Sequence, residues 1–220
     1  MKSKLTLIPI AALALAALPA LAQVVGKDTV EPVQVLKGKG EFAAKLNGAM
    51  MPAGKGWKPV MDARKRVQVT LPDRWKVEVP EGDDAIIRAI PPGQEKQPSA
   101  VFMVLIASPG DNDPLQVEEK FALNYADELA EEPSLKALQF KPTDSGYVIA
   151  RGMKFALAGG TMTPKKSETF RQEQLVFIGE DRVVTLQFTA REKDFSRYLD
   201  DLAKIFASYQ TIGVRRLDVE

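Results

Sequence analysis

The sequence predicts an α+β domain in which helices pack on a largely antiparallel sheet. Short runs in which apolar and polar residues alternate, separated by Gly, Pro and Asp, occupy most of residues 66–190. The segment from Phe195 to Tyr209 instead carries apolar residues at helical spacing, which places them on one face of a helix. Because strands joined by short turns run antiparallel and an amphipathic helix must bury its apolar face, the two patterns together predict this class.

The first strands are short and the fourth is central. Three alternating runs are predicted as strands: Val67 to Leu71, Val77 to Val79 after Trp75, and Ala85 to Ile90. Every residue from Ala100 to Ala107 is apolar, which is typical of a central strand covered on both faces.

A helix and four further strands follow. Asp113 is predicted to cap the helix, with Pro114 at its first position and Pro133 at its end. The further strands are predicted at Lys136 to Lys141, Tyr147 to Leu157, Phe170 to Ile178 and Arg182 to Ala190. Their turns are predicted at Asp144-Ser145-Gly146, Gly159-Gly160 and Gly179-Glu180-Asp181.

The beginning of the chain is predicted to be a secretory signal peptide, residues 1–22. It has a basic start with Lys2 and Lys4, an apolar stretch of about 14 residues, and the small residues of Ala20-Leu21-Ala22. Cleavage is expected between Ala22 and Gln23. A membrane anchor is disfavoured because a bilayer needs about 20 apolar residues. We therefore expect a soluble bacterial protein in the periplasm, or secreted, with no membrane span after the signal is removed.

The sequence divides the mature chain into three parts. Residues 23–65 are rich in Gly and Pro and have no sustained period, so they are predicted to be an extension with a short strand near Val33 to Leu36 and a helical turn near Phe42 to Leu46. Residues 66–210 form the domain, and residues 211–220 form a tail.

The composition excludes most common catalytic sites. The 220 residues include neither His nor Cys, which removes Ser-His-Asp and Cys-His nucleophiles, Cys/His zinc sites and CxxC redox chemistry. Loss of Lys2 and Lys4 changes the formal net charge from +1 to −1, which disfavours nucleic acid as a partner.

One stretch of the domain resembles a known superfamily. Val69-Thr70-Leu71-Pro72-Asp73-Arg74-Trp75 is similar to the opening of PsbP-like, DcrB-like and Mog-like domains, although those usually have Gly where this chain has Arg74. The end, Ile205-Phe206-Ala207-Ser208-Tyr209, is similar to their terminal helix. The resemblance implies an α/β/α sandwich used by non-catalytic accessory proteins. It carries over no catalytic motif.

Several motifs have a chemical interpretation and a simpler one. Gly38-Lys39-Gly40-Glu41-Phe42-Ala43 fits a dinucleotide fingerprint, but Gly and Pro residues break the helix that should follow. Helix capping explains Asp111, Asn112 and Asp113 better than a calcium loop does. A solvated turn explains Glu81, Asp83 and Asp84 better than a carboxylate pair. Pro164 argues against a Ser/Lys-type site at Thr163 and Lys166. No cofactor or metal is predicted.

We expect a protein-binding accessory or adaptor in the bacterial envelope, without enzymatic activity. The alternative is a carrier of a lipid or other apolar molecule held between the sheet and a helix. Two places are candidate binding sites. The loop from Gly159 to Ser167 is expected to project past the sheet with Lys165 and Lys166. Trp57, in Gly54-Lys55-Gly56-Trp57-Lys58-Pro59, either anchors the extension or contacts a partner. The identity of the partner and the oligomeric state stay open.

Overall fold

The computed structural model describes residues 31–64, 66–80, 85–94, 98–109, 116–164, 168–179 and 181–212. The predicted signal peptide, with the Ala22–Gln23 bond, lies outside these residues, as do Lys165 and Lys166. The acidic groups at 81–84 and 111–113 and the tail after residue 212 also lie outside them.

The described residues form eleven strands, five helices and one turn of 3-10 helix. The strands are β1 (Gln34–Lys39), β2 (Trp57–Met61), β3 (Val67–Pro72), β4 (Lys76–Glu78), β5 (Ala85–Ile90), β6 (Ala100–Ala107), β7 (Lys141–Ala150), β8 (Met153–Met162), β9 (Phe170–Ile178), β10 (Val183–Arg191) and β11 (Gln210–Thr211). The helices are α1 (Glu41–Leu46), α2 (Glu119–Glu131), α3 (Pro133–Ala137), α4 (Glu192–Phe195) and α5 (Leu199–Ala207), with the 3-10 turn at Ser196–Tyr198 between α4 and α5.

Two antiparallel sheets organise these elements. The large sheet has eight strands in the order β1-β7-β8-β9-β10-β6-β5-β4, and the small sheet has three in the order β11-β3-β2. Every pairing is antiparallel. The predicted α+β class with helices on a largely antiparallel sheet is therefore confirmed.

The large sheet has a different layer on each face. On one face, alternate side chains such as Phe155, Leu175 and Phe188 form the main core with α1, α5 and the small sheet. On the other face, their neighbours Ala156 and Val176 pack in a second cluster with Ala122 of α2. The two-residue period of the strands thus supplies both cores from one sheet.

The longest strands meet at a hairpin that the sequence does not predict. β7 and β8 turn at Arg151 and Gly152, both with positive φ, of 53° and 75°. The predicted turn at Asp144-Ser145-Gly146 is wrong, since these residues lie inside β7 opposite Gly159 to Leu157 of β8. The predicted turn at Gly159-Gly160 is also wrong, because β8 continues through both glycines to Met162.

Two predicted boundaries around α2 also change. The predicted strand from Lys136 to Lys141 is wrong, because α3 occupies Pro133–Ala137 and β7 begins only at Lys141. The helix predicted to start at Pro114 begins at Glu119 instead, after three non-helical residues, and Glu118 is its N-cap. Asp113 and Pro114 themselves lie outside the described residues.

Residues 33–62 pack into the same domain as the residues that follow, although the sequence predicts that this domain begins at Arg66. β1 pairs with β7, and β2 pairs with β3. Phe42 and Leu46 of α1 are fully buried in the main core, where the Phe42 ring meets the Phe206 ring edge-on at 5.2 Å. The short strand and helical turn expected here exist, and they belong to the sheets and the core rather than lying outside them.

The final helical segment is broken into α4, the 3-10 turn and α5. The apolar residues predicted for its buried face, from Phe195 to Phe206, are buried except for Tyr198, which is half-buried. Tyr209 follows the helix and is 1% exposed. Among the described helices, none combines the length and the apolar character needed to cross a bilayer.

Candidate functional site

Trp57 begins the edge strand of the small sheet. The turn before it contains Gly54 and Gly56, whose φ values of 94° and 91° are conformations that glycine adopts without steric cost. The Trp57 ring is half-buried and packs against the main core, and Lys204 Nζ of α5 lies 5.8 Å from its centroid. Trp57 thus anchors the turn and keeps part of its ring at the surface.

An apolar stripe continues from Trp57 along the same strand. Side chains two residues apart point to the same face of a strand, so Pro59 and Met61 share the face of Trp57. Pro59 is exposed, and Met61 is 45% exposed. We call these three residues, together with Lys55 and Lys204 at the Trp57 end, the Trp57 surface. The stripe spans about 13 Å of strand, which is long enough for several residues of a partner.

The cations of the Trp57 surface differ from those nearby. Lys45 and Arg74 form salt bridges with Asp200 and Asp201 of α5. Within the described residues, no carboxylate forms a salt bridge with Lys55 or Lys204. The two ammonium groups are exposed, and Lys204 also interacts electrostatically with Asp200 of α5. Together they give the Trp57 end of the stripe a positive charge that attracts an acidic partner.

A second arrangement of charged groups lies inside the large sheet. Arg171 of β9 donates from Nε to Glu173 Oε1 at 2.9 Å, from Nη2 to Asp144 Oδ2 at 3.1 Å and from Nη1 to Glu41 Oε2 at 2.7 Å. Its guanidinium also lies 4.5 Å from the centroid of the Phe195 ring. We call Glu41, Asp144, Arg171 and Glu173 the Arg171 cluster.

The Arg171 cluster fixes the start of α1. Asp144 Oδ1 accepts hydrogen bonds from the backbone N–H groups of Phe42 and Ala43, at 2.7 Å and 3.2 Å. These are first-turn donors that have no partner within a helix, so a buried carboxylate there acts as a cap from another strand. A phosphate at the Gly38–Ala43 fingerprint would need the same N–H groups. β1 also pairs antiparallel with β7, whereas the dinucleotide motif requires a parallel sheet.

Glu173 is the most perturbed acid of the cluster. Its side chain is fully buried, and Oε2 has no hydrogen-bond partner among the described residues. Burial, and secondarily the negative charge of Asp144, raise the pKa of the Glu173 carboxyl well above its usual value, against the opposing effect of Arg171. Glu173 therefore binds a proton more readily than an ordinary glutamate does.

Asp62 organises the turn between β2 and β3. Its carboxylate, 1% exposed, accepts from the Val67 N–H at 2.9 Å and from Arg66 Nε at 3.0 Å. Burial alone would raise the pKa of Asp62, but the hydrogen bonds from Val67 and Arg66 lower it overall. The residue has a structural role at the Met61 end of the Trp57 surface.

A solved structure has a similar fold. PsbP (CyanoP) from Synechocystis sp. PCC 6803 matches with a TM-score of 0.52 at 9% identity, over 73% of this chain and 97% of that one. The chain has a PsbP-like fold. No protein-family model and no curated protein sequence matches it.

Two further solved structures match this chain with lower TM-scores. LpqN, involved in cell envelope biogenesis of Mycobacterium tuberculosis, has a TM-score of 0.47 at 19% identity, over 70% of this chain and 89% of that one. A Bacteroides thetaiotaomicron VPI-5482 protein has a TM-score of 0.44 at 11% identity and matches 75% of this chain. The chain spans half of the length of that Bacteroides protein.

The predicted site residues have different outcomes. Trp57 lies on the surface and contacts the core, which accommodates both of its interpretations. Lys165 and Lys166 lie outside the described residues. The expected projecting tip is not formed by Gly159 to Met162, which belong to β8. Among the described residues, no group of acidic side chains is arranged to hold a metal ion.

The Arg171 cluster was not predicted from the sequence. Asp144 has the composition of a turn with its two neighbours, and its partners Phe42 and Arg171 are 102 and 27 residues away. One signal was available. Arg171 and Glu173, two residues apart in a strand, must share a face, and in a buried strand two such charges require each other or a third group.

Proposed function

We propose that the protein is a non-catalytic accessory protein of the bacterial envelope that binds a partner protein through the Trp57 surface. The observation that carries this proposal is the stripe on an edge strand formed by the half-buried Trp57 and the exposed Pro59 and Met61. Lys55 and Lys204 lie at one end of the stripe. Aromatic side chains that are anchored on one side and exposed on the other are enriched at protein interfaces, since they add contact area at low entropic cost.

The chemistry of the chain supports a binding role rather than catalysis. His and Cys are absent from the whole sequence. The carboxylates that the structure brings together, Asp144 and Glu173, are fully or almost fully buried and already bound by Arg171. A general acid or base must reach its substrate, which these two groups do not do.

The predicted signal peptide supports placing the protein in the envelope. The first 22 residues have the three parts of a signal peptide, and a chain without Cys needs no disulfide formation in the periplasm. In this proposal the mature protein is periplasmic or secreted.

A carrier of an apolar molecule is less well supported. The space between the large sheet and α5 contains interlocked rings, with Phe206 5.2 Å from Phe42 and 6.2 Å from Phe102. A ligand would have to displace these side chains. The packing therefore favours the adaptor over the carrier.

A photo-crosslinking amino acid at Pro59, introduced into the full-length protein in intact cells, tests the proposal. The matched control has the same amino acid at Lys120, an exposed position of α2 on the opposite face of the large sheet. We expect a discrete protein adduct from position 59 and none from position 120. Equal adducts from both positions, or none from position 59, would contradict the proposal.

Charge reversal then tests whether the Trp57 surface itself makes the contact with the partner. Lys204→Glu should weaken association with the captured partner at least about fivefold and reduce its salt dependence, whereas Lys120→Glu should leave both unchanged. Lys165→Glu with Lys166→Glu tests the β8–β9 loop in the same assay. If only that double variant slows association, the contact lies at the loop and not at the Trp57 surface.

A further inference from the structure

Asp144, Gly159 and Glu173 form one row across three strands. Asp144 of β7 is in register with Gly159 of β8, and Gly159 is in register with Glu173 of β9. A Cβ atom on Gly159 would lie 1.8 Å from Glu173 Oε2 and 2.4 Å from its carboxyl carbon. The Glu173 carboxyl therefore lies over Gly159 and extends toward Asp144 on the next strand. The missing side chain of Gly159 is what lets the two acids approach each other.

The hydrogen bonds of the two acids are unequal. Asp144 accepts from Phe42 N–H, Ala43 N–H, Thr143 Oγ1 and Arg171 Nη2. Among the described residues, Arg171 Nε donates to Glu173 Oε1, and Glu173 Oε2 has no donor. Burying a carboxylate costs free energy when few donors surround it. A neutral carboxylic acid carries no charge and needs fewer donors. The proton of the pair therefore belongs on Glu173 Oε2.

Within the described residues, one cation, Arg171, forms salt bridges with all three acids of the Arg171 cluster. Within the described residues, Asp144 of β7 and Arg171 of β9 face the Glu173 carboxyl, and Glu41 of α1 is bound to the far side of Arg171. The neighbouring elements β10 and α4 contribute the uncharged rings of Phe188 and Phe195. A second negative charge at Glu173 would thus have to share the same guanidinium with Asp144 and Glu41.

The same groups attach β1 and α1 to the sheet. Asp144 holds the first N–H groups of α1, and Arg171 holds Glu41. β1 is an edge strand whose partner in the sheet is β7. Weakening the Arg171 cluster therefore acts first on residues 33–49.

We propose that Glu173 carries a proton at neutral pH in the closed form, in which β1 and α1 are packed on the large sheet, and that loss of this proton loosens β1 and α1. The stability of the closed form changes with pH in one direction only. The closed form holds the Glu173 proton more tightly than an opened form, in which Glu173 titrates near its ordinary value of 4.5. The closed form therefore loses stability as the pH rises from that value to the raised pKa of the closed form. Between these limits β1 and α1 lose up to about tenfold in protection for each pH unit.

Hydrogen exchange followed by mass spectrometry tests this device in the full-length protein, from about pH 5 to about pH 9. Protection is corrected for the intrinsic pH dependence of exchange. Peptides covering residues 33–49 should lose protection as the pH rises, while peptides from α2 should keep theirs. Glu173→Gln, which replaces the acid by a neutral group of the same shape, should remove the pH dependence at 33–49. Glu128→Gln, at an exposed position of α2, should leave it unchanged.

NMR titration of the Glu173 carboxyl carbon in the wild-type protein gives a readout that does not depend on how a variant folds. We expect one transition well above the ordinary range of glutamate, and Asp144→Asn should move it down. A transition at the ordinary value would overturn the proposal. Protection at 33–49 that is independent of pH, or that falls equally in Glu173→Gln, would also overturn it.

Discussion

Gly159→Ala should destabilise the protein far more than a glycine-to-alanine change in a strand ordinarily does. The new Cβ would lie 1.8, 2.4 and 2.6 Å from three atoms of the Glu173 carboxyl. Methyl and carboxyl groups do not approach this closely, so the carboxyl must leave its position. Gly159 does not have the positive φ that would make any side chain unfavourable there, so the conflict is one of space.

The magnitude follows from what the displaced carboxyl loses. Its hydrogen bond from Arg171 Nε is charge-assisted, and breaking such a bond costs about 1.5–3 kcal/mol. Forcing an extra carbon into a packed strand layer adds about 1–3 kcal/mol. We therefore expect Gly159→Ala to lower the free energy of unfolding by about 2.5–6 kcal/mol.

A double-mutant cycle isolates the contact. In a Glu173→Ala background the carboxyl is gone, and Gly159→Ala should then cost less than about 1 kcal/mol. Gly152→Ala is the control, because Gly152 has positive φ but nothing within 4 Å of its added Cβ, so its cost should be the same in both backgrounds. Urea unfolding followed by circular dichroism gives the four free energies. An equal cost of Gly159→Ala in both backgrounds would refute the reasoning.

Three further outcomes are expected. Ser208→Ala removes the acceptor of the buried Thr70 N–H, a hydrogen bond of 2.7 Å, and should cost about 1–3 kcal/mol in urea unfolding, whereas Ser208→Thr should cost less. Asp62→Asn should remove a part of the acid sensitivity of unfolding: the lowered pKa of Asp62 gives stability that is present above 3.8 and is lost as the pH falls through the folded-state value, so the variant should differ most from wild type near neutral pH and least in acid. Protein recovered from the envelope should have the intact mass of a chain beginning at Gln23, and a chain that still begins at Met1 would contradict export processing.

The elements predicted correctly are those whose residues are set by local pattern. Ala85 to Ile90, Ala100 to Ala107 and Phe170 to Ile178 coincide with β5, β6 and β9, since apolar runs of strand length between turn residues have few alternatives. The apolar spacing after Phe195 likewise identified a buried helical segment, although not its 3-10 turn.

The misplaced elements depend on distant residues. Asp144 and Gly159 have the composition of turns, yet they lie within strands because Asp144 pairs with Arg171 and Gly159 makes room for Glu173. The observed turn between β7 and β8 places Arg151 at positive φ, a conformation that arginine rarely adopts. For the site, the sequence singled out Trp57, but no local pattern indicates that Lys204 lies against its ring. Contacts between residues far apart in sequence are what a single sequence does not specify.

The placement of the last strand and helix has a consequence for how the chain acquires its structure. β3 lies between β2 and β11, and α1 packs on α5, so the described N-terminal elements contact the described C-terminal ones. Phe42 and Val69 stay partly exposed until the segment from Leu199 to Thr211 packs against them. Folds with such high contact order fold slowly, in milliseconds to seconds. If the chain is exported N-terminus first, as proposed above, its N-terminal elements would therefore stay unpacked until the segment from Leu199 to Thr211 had also crossed.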